Sequence, residues 1–490
     1  MVEGHLCPKC GASLYSEPGE ICPICHQRLN FEEGKYPLFE IEGDTLIRLN
    51  RESEVVIIPE GIKVIEKRAF YHNQTTKKFI FPKSLKRIGD YAFGKCQALE
   101  EVELPSSLSD LGFSSFGGCP KLKKVIIPKN GGLNLGTLTF ASCSSLEEIF
   151  VPSSVFNLVS LFMDCKGLKK VSFEEGEYPL SIFDQCFAGC SSLKEVEFPK
   201  NLVELGNACF KGCSHLQKVV FHSEEVTFGH HVFASCINLK EVSLPPENKA
   251  LGIGLFDGCK ALEKIELPKG LTRLDARSLS NTGLKEIKLP GSLTYIYDAA
   301  LANDKISHID LPATLKEIAS SAFLGTALES IELPKNLIAI GEGLFMNCFA
   351  LKKATLPCFD HVPALTFNGC SCLEEVDMGD KIASIGKAAF KECLSLKKIA
   401  LPPSLNKIEE EAFQGCVNLS LEKLPEKVYS IRANAFRGCS SLKLDALPKN
   451  TKKVGHFAFK GTSIDAIKVP SKIKDIPSDA FDEGVIIQTE

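Results

Sequence analysis

The chain has 490 residues, a formal net charge of −4, and 44% hydrophobic and 24% charged residues. That balance excludes a global basic field for nucleic acid or acidic membranes, and no run in the sequence approaches the roughly 20 apolar residues of a membrane helix. Twenty-one cysteines, behind an opening MVEGHLCPKC with neither a basic nor an apolar secretory region, favour the cytoplasm, where thiols stay free or bind metal.

Residues 1–30 carry two knuckles, Cys7-Pro-Lys-Cys10 and Cys22-Pro-Ile-Cys25. Each turn aims two thiolates at one point, and two turns complete a tetrahedral shell for one structural Zn2+. So short a segment has no core of its own, so metal binding must supply its stability. A redox pair is the alternative for a single CxxC; His5 and His26 could replace a ligand, but beside four cysteines they read as bystanders. Four thiolates leave no open position for catalysis. Lys9, Arg28 and Lys35 against Glu3, Glu17, Glu20, Glu32 and Glu33 make a poor phosphate binder, so no nucleic-acid partner is expected.

Residues 31–58 read as a linker and lead-in to the repeats. From 59 to 485 a phrase returns every 22 to 24 residues: Leu-Pro, Leu-x-x-Ile, Ala-Phe, Gly-Cys, Leu-x-x-Val. Proline marks the beat from Pro59 to Pro470, and three of the 19 units replace it, with Glu174, His222 and Gly379; a two-residue insertion follows Glu174. Such a period predicts a β-rich solenoid whose coils bury their apolar edges on one another. In Leu99-Glu-Glu-Val-Glu-Leu-Pro105, alternation gives a half-buried strand ended by proline. Leu108 and Leu111 mark a second short extended run, and Phe116-Gly-Gly-Cys119 turns back toward the next strand. At the strand spacing, 19 coils would extend about 90 Å. Residues 486–490 are left as a tail.

Phenylalanine fills its position in 17 units, with Leu279 and Leu301 in the other two; a ladder cysteine recurs thirteen times, from Cys96 to Cys439. The cysteine suits a small buried site. Neighbouring ladder cysteines are close enough for disulfides to be considered, so their reduced state rests on compartment alone. Cys186 and Cys209, beside Cys190 and Cys213, read as buried free thiols, with a second metal site as the alternative.

The unit LPxxLxxIxxxAFxxCxxLxxV, as in Leu401-Pro-Pro-Ser-Leu405 through Ala412-Phe413-Gln-Gly-Cys416, resembles BspA-type leucine-rich repeats over residues 37–485. The resemblance implies a right-handed leucine-rich-repeat solenoid with a parallel sheet on one face, used to bind macromolecules. Secreted members resemble adhesins. This chain departs from them in its start and in the added zinc ribbon.

Four residues before each proline beat, the outward position alternates strictly in sign: Lys78, Glu101, Lys124, Glu148, Lys170, Glu195, Lys218, Glu241, Lys264, Glu286. Paired strands gain roughly 0.2–1 kcal/mol per opposite pair, and the ladder reads as self-neutralised scaffold. Two residues before the beat lie Ile57, Ile80, Ile126, Phe150 and Val220, interrupted by Glu103, Ser172 and Glu197. Ile80, Ile126, Phe150 and Val220 are candidate contacts for a protein partner. Between Pro268 and Pro334 the cysteine disappears and the alternation breaks at His308, near Asp310. That stretch is either a change of curvature or a recognition patch. Glu422 and Asp445 fall on inward positions while Leu421 and Leu444 fall outward. Burying two acids is costly, which predicts a register shift or bulge rather than a catalytic dyad.

No phosphate loop, GxSxG or HExxH motif is present. His230 and His231 would point to opposite faces of a strand, and Cys358 with His361 lies in a loop. The chain reads as a non-enzymatic interaction scaffold, with a surface adhesin as the alternative.

Overall fold

The computed structural model describes residues 5–6, 13–14, 38–129, 132–357, 359–473 and 476–489. The chain divides into two compact units, Met1–Pro245 with Cys259–Ala261, and Pro246–Gly258 with Leu262–Glu490. Both are built from the same coil, about 19 turns in all.

Each coil has two strand-forming sides and a turn edge. The Leu-x-x-Val segment forms the A face. In unit 1 its strands pair in parallel, Val55–Ile57, Lys78–Ile80, Glu101–Glu103 and Lys124–Ile126 in one sheet. Glu148–Val151, Lys170–Phe173, Glu195–Phe198, Lys218–Phe221 and Glu241–Ser243 form a second. The Leu-x-x-Ile segment forms the B face from shorter strands such as Arg87–Ile88 and Asp110–Leu111. The antiparallel hairpin Phe39–Glu42/Thr45–Leu49 stacks on its first strand, Val64–Ile65. In unit 2 the B face runs through Arg273–Leu274, Tyr295–Ile296, Glu317–Ile318 and Ala339–Ile340, then from His361–Val362 to Lys453–Val454. Ile486–Thr489, set apart as a tail in the sequence reading, pairs in parallel with Ala466–Val469 and closes the last coil.

The turn edge has no strand, yet it is a ladder of backbone bonds. Arg68, Phe70 and His72 N–H donate to Asp90, Ala92 and Gly94 C=O at 3.0, 2.7 and 2.8 Å. Glu411, Phe413 and Gly415 do the same to Ala433, Ala435 and Arg437 in unit 2. Using every other residue this way places the residues two before and two after each Phe in the left-handed region. Arg68 and His72 bracket Phe70, and the pattern continues to Phe457 and Gly461 about Phe459. Glycine suits the second of these positions because it has no Cβ to strain.

Inside, like stacks on like. Phe70, Phe93, Phe116 and Phe140 stand 4.8, 4.8 and 5.6 Å apart, centroid to centroid, with nearly parallel rings. In unit 2 Phe390, Phe413 and Phe436 repeat at 5.2 Å. Each buried ring is worth roughly 1.5–3 kcal/mol of apolar burial, and stacking adds to it.

The ladder cysteines do more than fill space. Every one donates its S–H to the carbonyl of the Phe one coil earlier, Cys96 to Phe70 at 3.3 Å, Cys213 to Phe187 at 3.2 Å and Cys416 to Phe390 at 3.0 Å. Burial pushes the Cys165 and Cys190 thiols well above their usual range, so the donor proton stays in place. Between Cys259 and Cys348, where the cysteine is absent, Thr282, Asp304 and Thr326 occupy its site, all buried. Asp304 Oδ1 accepts from Thr282 N and Oγ1 at 2.9 and 2.7 Å, while Oδ2 has no hydrogen-bond partner.

The register shift expected near Glu422 and Asp445 is present. Leu421 and Leu444 are buried, and both acids are exposed. His230 and His231 differ from expectation: they lie outside any strand, on the turn edge, where His231 is left-handed with φ 58°.

Candidate interaction surface

The A face of unit 1 begins as a charge lattice. The parallel register sets Lys78 against Glu101 and Glu101 against Lys124. The ammonium groups reach Glu101 at 3.3 and 3.2 Å. The hydrogen bond from Lys124, supported by Lys78, holds the Glu101 carboxyl below its ordinary range. Glu148 pairs with Lys170, Lys170 with Glu195, and Glu195 with Lys218; Lys218 reaches Glu241 at 3.6 Å. A second charge column runs one residue earlier, with Lys77–Glu54 and Lys169–Glu147 both at 3.0 Å. Exposed pairs of this kind contribute little each, but together they leave few charges for a partner.

The lattice changes where the proline beat is missing. Glu174, in place of proline, accepts from Lys129 at 2.7 Å, and from Ser153 N and Oγ at 3.1 and 3.2 Å. Lys129 belongs to a coil two turns earlier, and its Nζ lies 5.3 Å from the Phe150 ring centroid. The salt link therefore straps a cation over an aromatic ring that is 43% exposed, a cation–π arrangement. At the next missing proline, His222 Nε2 lies 2.6 Å from Glu197 Oε1. Beyond these two substitutions opens a groove of about 710 Å³ lined by Lys170, Ser172, Glu195, Glu197, Lys218 and Val220, among others. The third such residue, Gly379, is left-handed, and its N–H donates to Asp377 Oδ1 at 3.0 Å.

The candidate contacts separate into islands. Val220 lines the groove. Phe150 pairs in register with the groove residue Ser172. Ile126, 36% exposed, sits opposite Glu103, and half-buried Ile80 pairs with Ile57. His308 and Asp310 lie in unit 2, exposed, with Nε2 and Oδ1 3.2 Å apart. The insertion after Glu174 adds a cluster that pattern reasoning missed: Tyr178 on the B-face side stands 6.0 Å from Phe156, ring to ring. Exposed Val203 enters the same region where the strand register slips by one residue.

Cys7, Cys10, Cys22 and Cys25 lie outside the described residues, as does Cys358. Among the described residues, no group of three or more His, Cys, Asp or Glu is placed to hold a metal, and no helix is long and apolar enough to cross a membrane.

Residues 50–169, 159–282, 249–371 and 360–486 match a family profile described as BspA type leucine rich repeat region (6 copies). Among solved structures, the chain is similar to a leucine-rich repeat protein from Bacteroides ovatus. The two are 26% identical, the match covers 92% of this chain and 97% of that one, and the TM-score is 0.54. A leucine-rich repeat protein from Eubacterium ventriosum is 18% identical over 89% of this chain and 91% of its own, with a TM-score of 0.33. The T. pallidum leucine-rich repeat protein is 24% identical over 42% of this chain and 91% of its own, with a TM-score of 0.31. Comparison with curated proteins gives no match.

Proposed function

We propose, for a chain that belongs to the BspA-type leucine-rich repeat family, a non-enzymatic cytoplasmic scaffold that holds a protein partner on the A face of unit 1. Leucine-rich repeat solenoids commonly serve protein–protein interaction or adhesion through such extended faces. The observation that carries this reading is the groove of about 710 Å³ lined by Ser172, the register partner of Phe150, and by His222, which stands in place of proline. Half-buried Phe173 and Val220 there are surrounded by Lys170, Glu195, Glu197, Lys218 and His222, a small apolar floor inside a polar rim.

Two further parts belong to the reading. Cys7, Cys10, Cys22 and Cys25 hold one structural Zn2+; the antiparallel pairing of His5–Leu6 with Ser13–Leu14 brackets the first knuckle in the chain and supports this. The reduced thiol ladder, in which each S–H is a donor, supports a reducing compartment.

A photo-crosslinking residue at Ser172, with a second copy of the experiment at Ile338 in unit 2, tests the surface. A partner captured at Ser172 and lost in the Phe150→Glu/Val220→Glu variant is expected; equal capture at both positions overturns the assignment. Zinc analysis should give one ion per chain, lost on Cys7→Ser/Cys22→Ser substitution, and a metal-free wild-type chain would remove the zinc module. Recovery from outside the cell with paired cysteines would make the protein an adhesin instead.

A further inference from the structure

A second surface lies on the B face of unit 2. Strands Lys407–Ile408, Ser430–Ile431 and Lys453–Val454 pair in register, so the rung reads Lys407, Ser430, Lys453, with Ser430 buried between the two lysines. On the same face in unit 1 the corresponding rung sets Arg87 against Asp110, with an ion pair at 3.2 Å. Here the opposite charge is absent from the rung. Beside it, a groove of about 590 Å³ is lined by Arg432, Lys452, Lys453 and Lys472 over Ile431, Val454 and Gly455. No carboxylate is among these residues. Arg432 reaches Glu409 at 3.6 Å; among the described residues no ion pair engages Lys452, Lys453 or Lys472.

We propose that this groove docks an acidic segment of a protein partner, an extended run of Asp and Glu side chains laid across the last coils. Four exposed cations converge on one concave site in a chain whose other charge columns are largely matched coil to coil. Unpaired charge of one sign selects a partner of the other. Nucleic acid fits less well. The groove has no aromatic side chain to stack a base, its cations span only a few coils at the strand spacing, and the chain is net negative at −4.

Fluorescence anisotropy of a labelled oligoglutamate peptide with the intact protein tests the site. Saturable binding is expected, weakened by salt and reduced about tenfold by Lys452→Glu/Lys453→Glu. The charge-matched Lys83→Glu/Lys121→Glu variant should bind as the wild type does, and both variants should show the wild-type circular dichroism spectrum. Equal loss in the two variants would reduce the effect to net charge and overturn the proposal. So would tighter binding of a single-stranded oligonucleotide than of the peptide, or displacement of the peptide by inorganic phosphate at matched ionic strength. Loss of the A-face partner through Phe150→Glu/Val220→Glu leaves this measurement unaffected, so the two assignments fail separately.

Discussion

Replacing Asp304 by asparagine should remove a pH dependence that the wild-type protein carries in unit 2. The carboxyl occupies a ladder-cysteine site, 3% exposed, with two donors from Thr282 on Oδ1 and none on Oδ2. Burial pushes it up from 3.8 to about 8. A carboxyl raised in the folded state binds a proton that the unfolded chain releases. Its contribution is therefore full below about pH 4 and is lost as pH rises toward 8. Roughly four pH units at about 1.4 kcal/mol each set a ceiling on the order of 5 kcal/mol. Asparagine keeps the Oδ1 acceptor and never ionises. Urea unfolding of both proteins at intervals from pH 5 to 8.5, with amide exchange read over residues 282–326, isolates the effect because other titrating groups cancel in the difference. The gap in favour of Asp304→Asn should widen by about 1.4 kcal/mol per pH unit from pH 5 and level off near pH 8. Parallel stability profiles for the two proteins would refute the reasoning.

Phe116, between Phe93 and Phe140, should cost about 3–5 kcal/mol as Phe116→Ala in chemical denaturation; a loss below about 1 kcal/mol would contradict the stacked spine. Glu392 is exposed and left-handed at φ 60°, with glycine at the same position in the coils on either side, Gly369 and Gly415. Glu392→Gly should stabilise by about 0.5–1 kcal/mol, the left-handed penalty less the glycine chain entropy, and a lower denaturation midpoint would count against it. Native thiol labelling should modify Cys372, the one exposed cysteine among the described residues, and spare the buried ones. Burial pushes the ladder thiol of Cys348 up to about 11 and that of its buried off-ladder counterpart Cys186 up to about 12, so they present almost no thiolate at neutral pH. Rapid labelling of ladder cysteines without unfolding would show that the S–H donors are not held.

Much of the coil was legible because its side chains alternate with burial. The Phe column, the two strand segments and the inward turn of Leu421 and Leu444 all follow from where apolar groups must go. Backbone conformation on the turn edge was hidden: Arg68, Tyr91, Leu138 and Gln185 share a left-handed φ without sharing a side-chain type. The bonds from one coil to the next impose it, and tertiary bonding overrides local preference. The cysteine read as filler because its hydrogen bond reaches a carbonyl one coil away. For the same reason Asp304 looked like a broken repeat rather than a substituted ladder site. Glu174 was visible as a missing proline, but its link to Lys129 spans two coils and needed coordinates. The candidate contacts do not gather at one place. Val220 and Phe150 fall at or beside the groove, whereas Ile80, His308 and Asp310 do not, and Tyr178 emerged only from the geometry of the insertion.

Amide hydrogen exchange on the intact protein, with and without the partner captured through Ser172, tests the proposed scaffold most directly. The account predicts new protection over residues 170–175, 195–200 and 218–222, and little change on the A-face strands of unit 2. Protection centred elsewhere, or none at saturating partner, would contradict it.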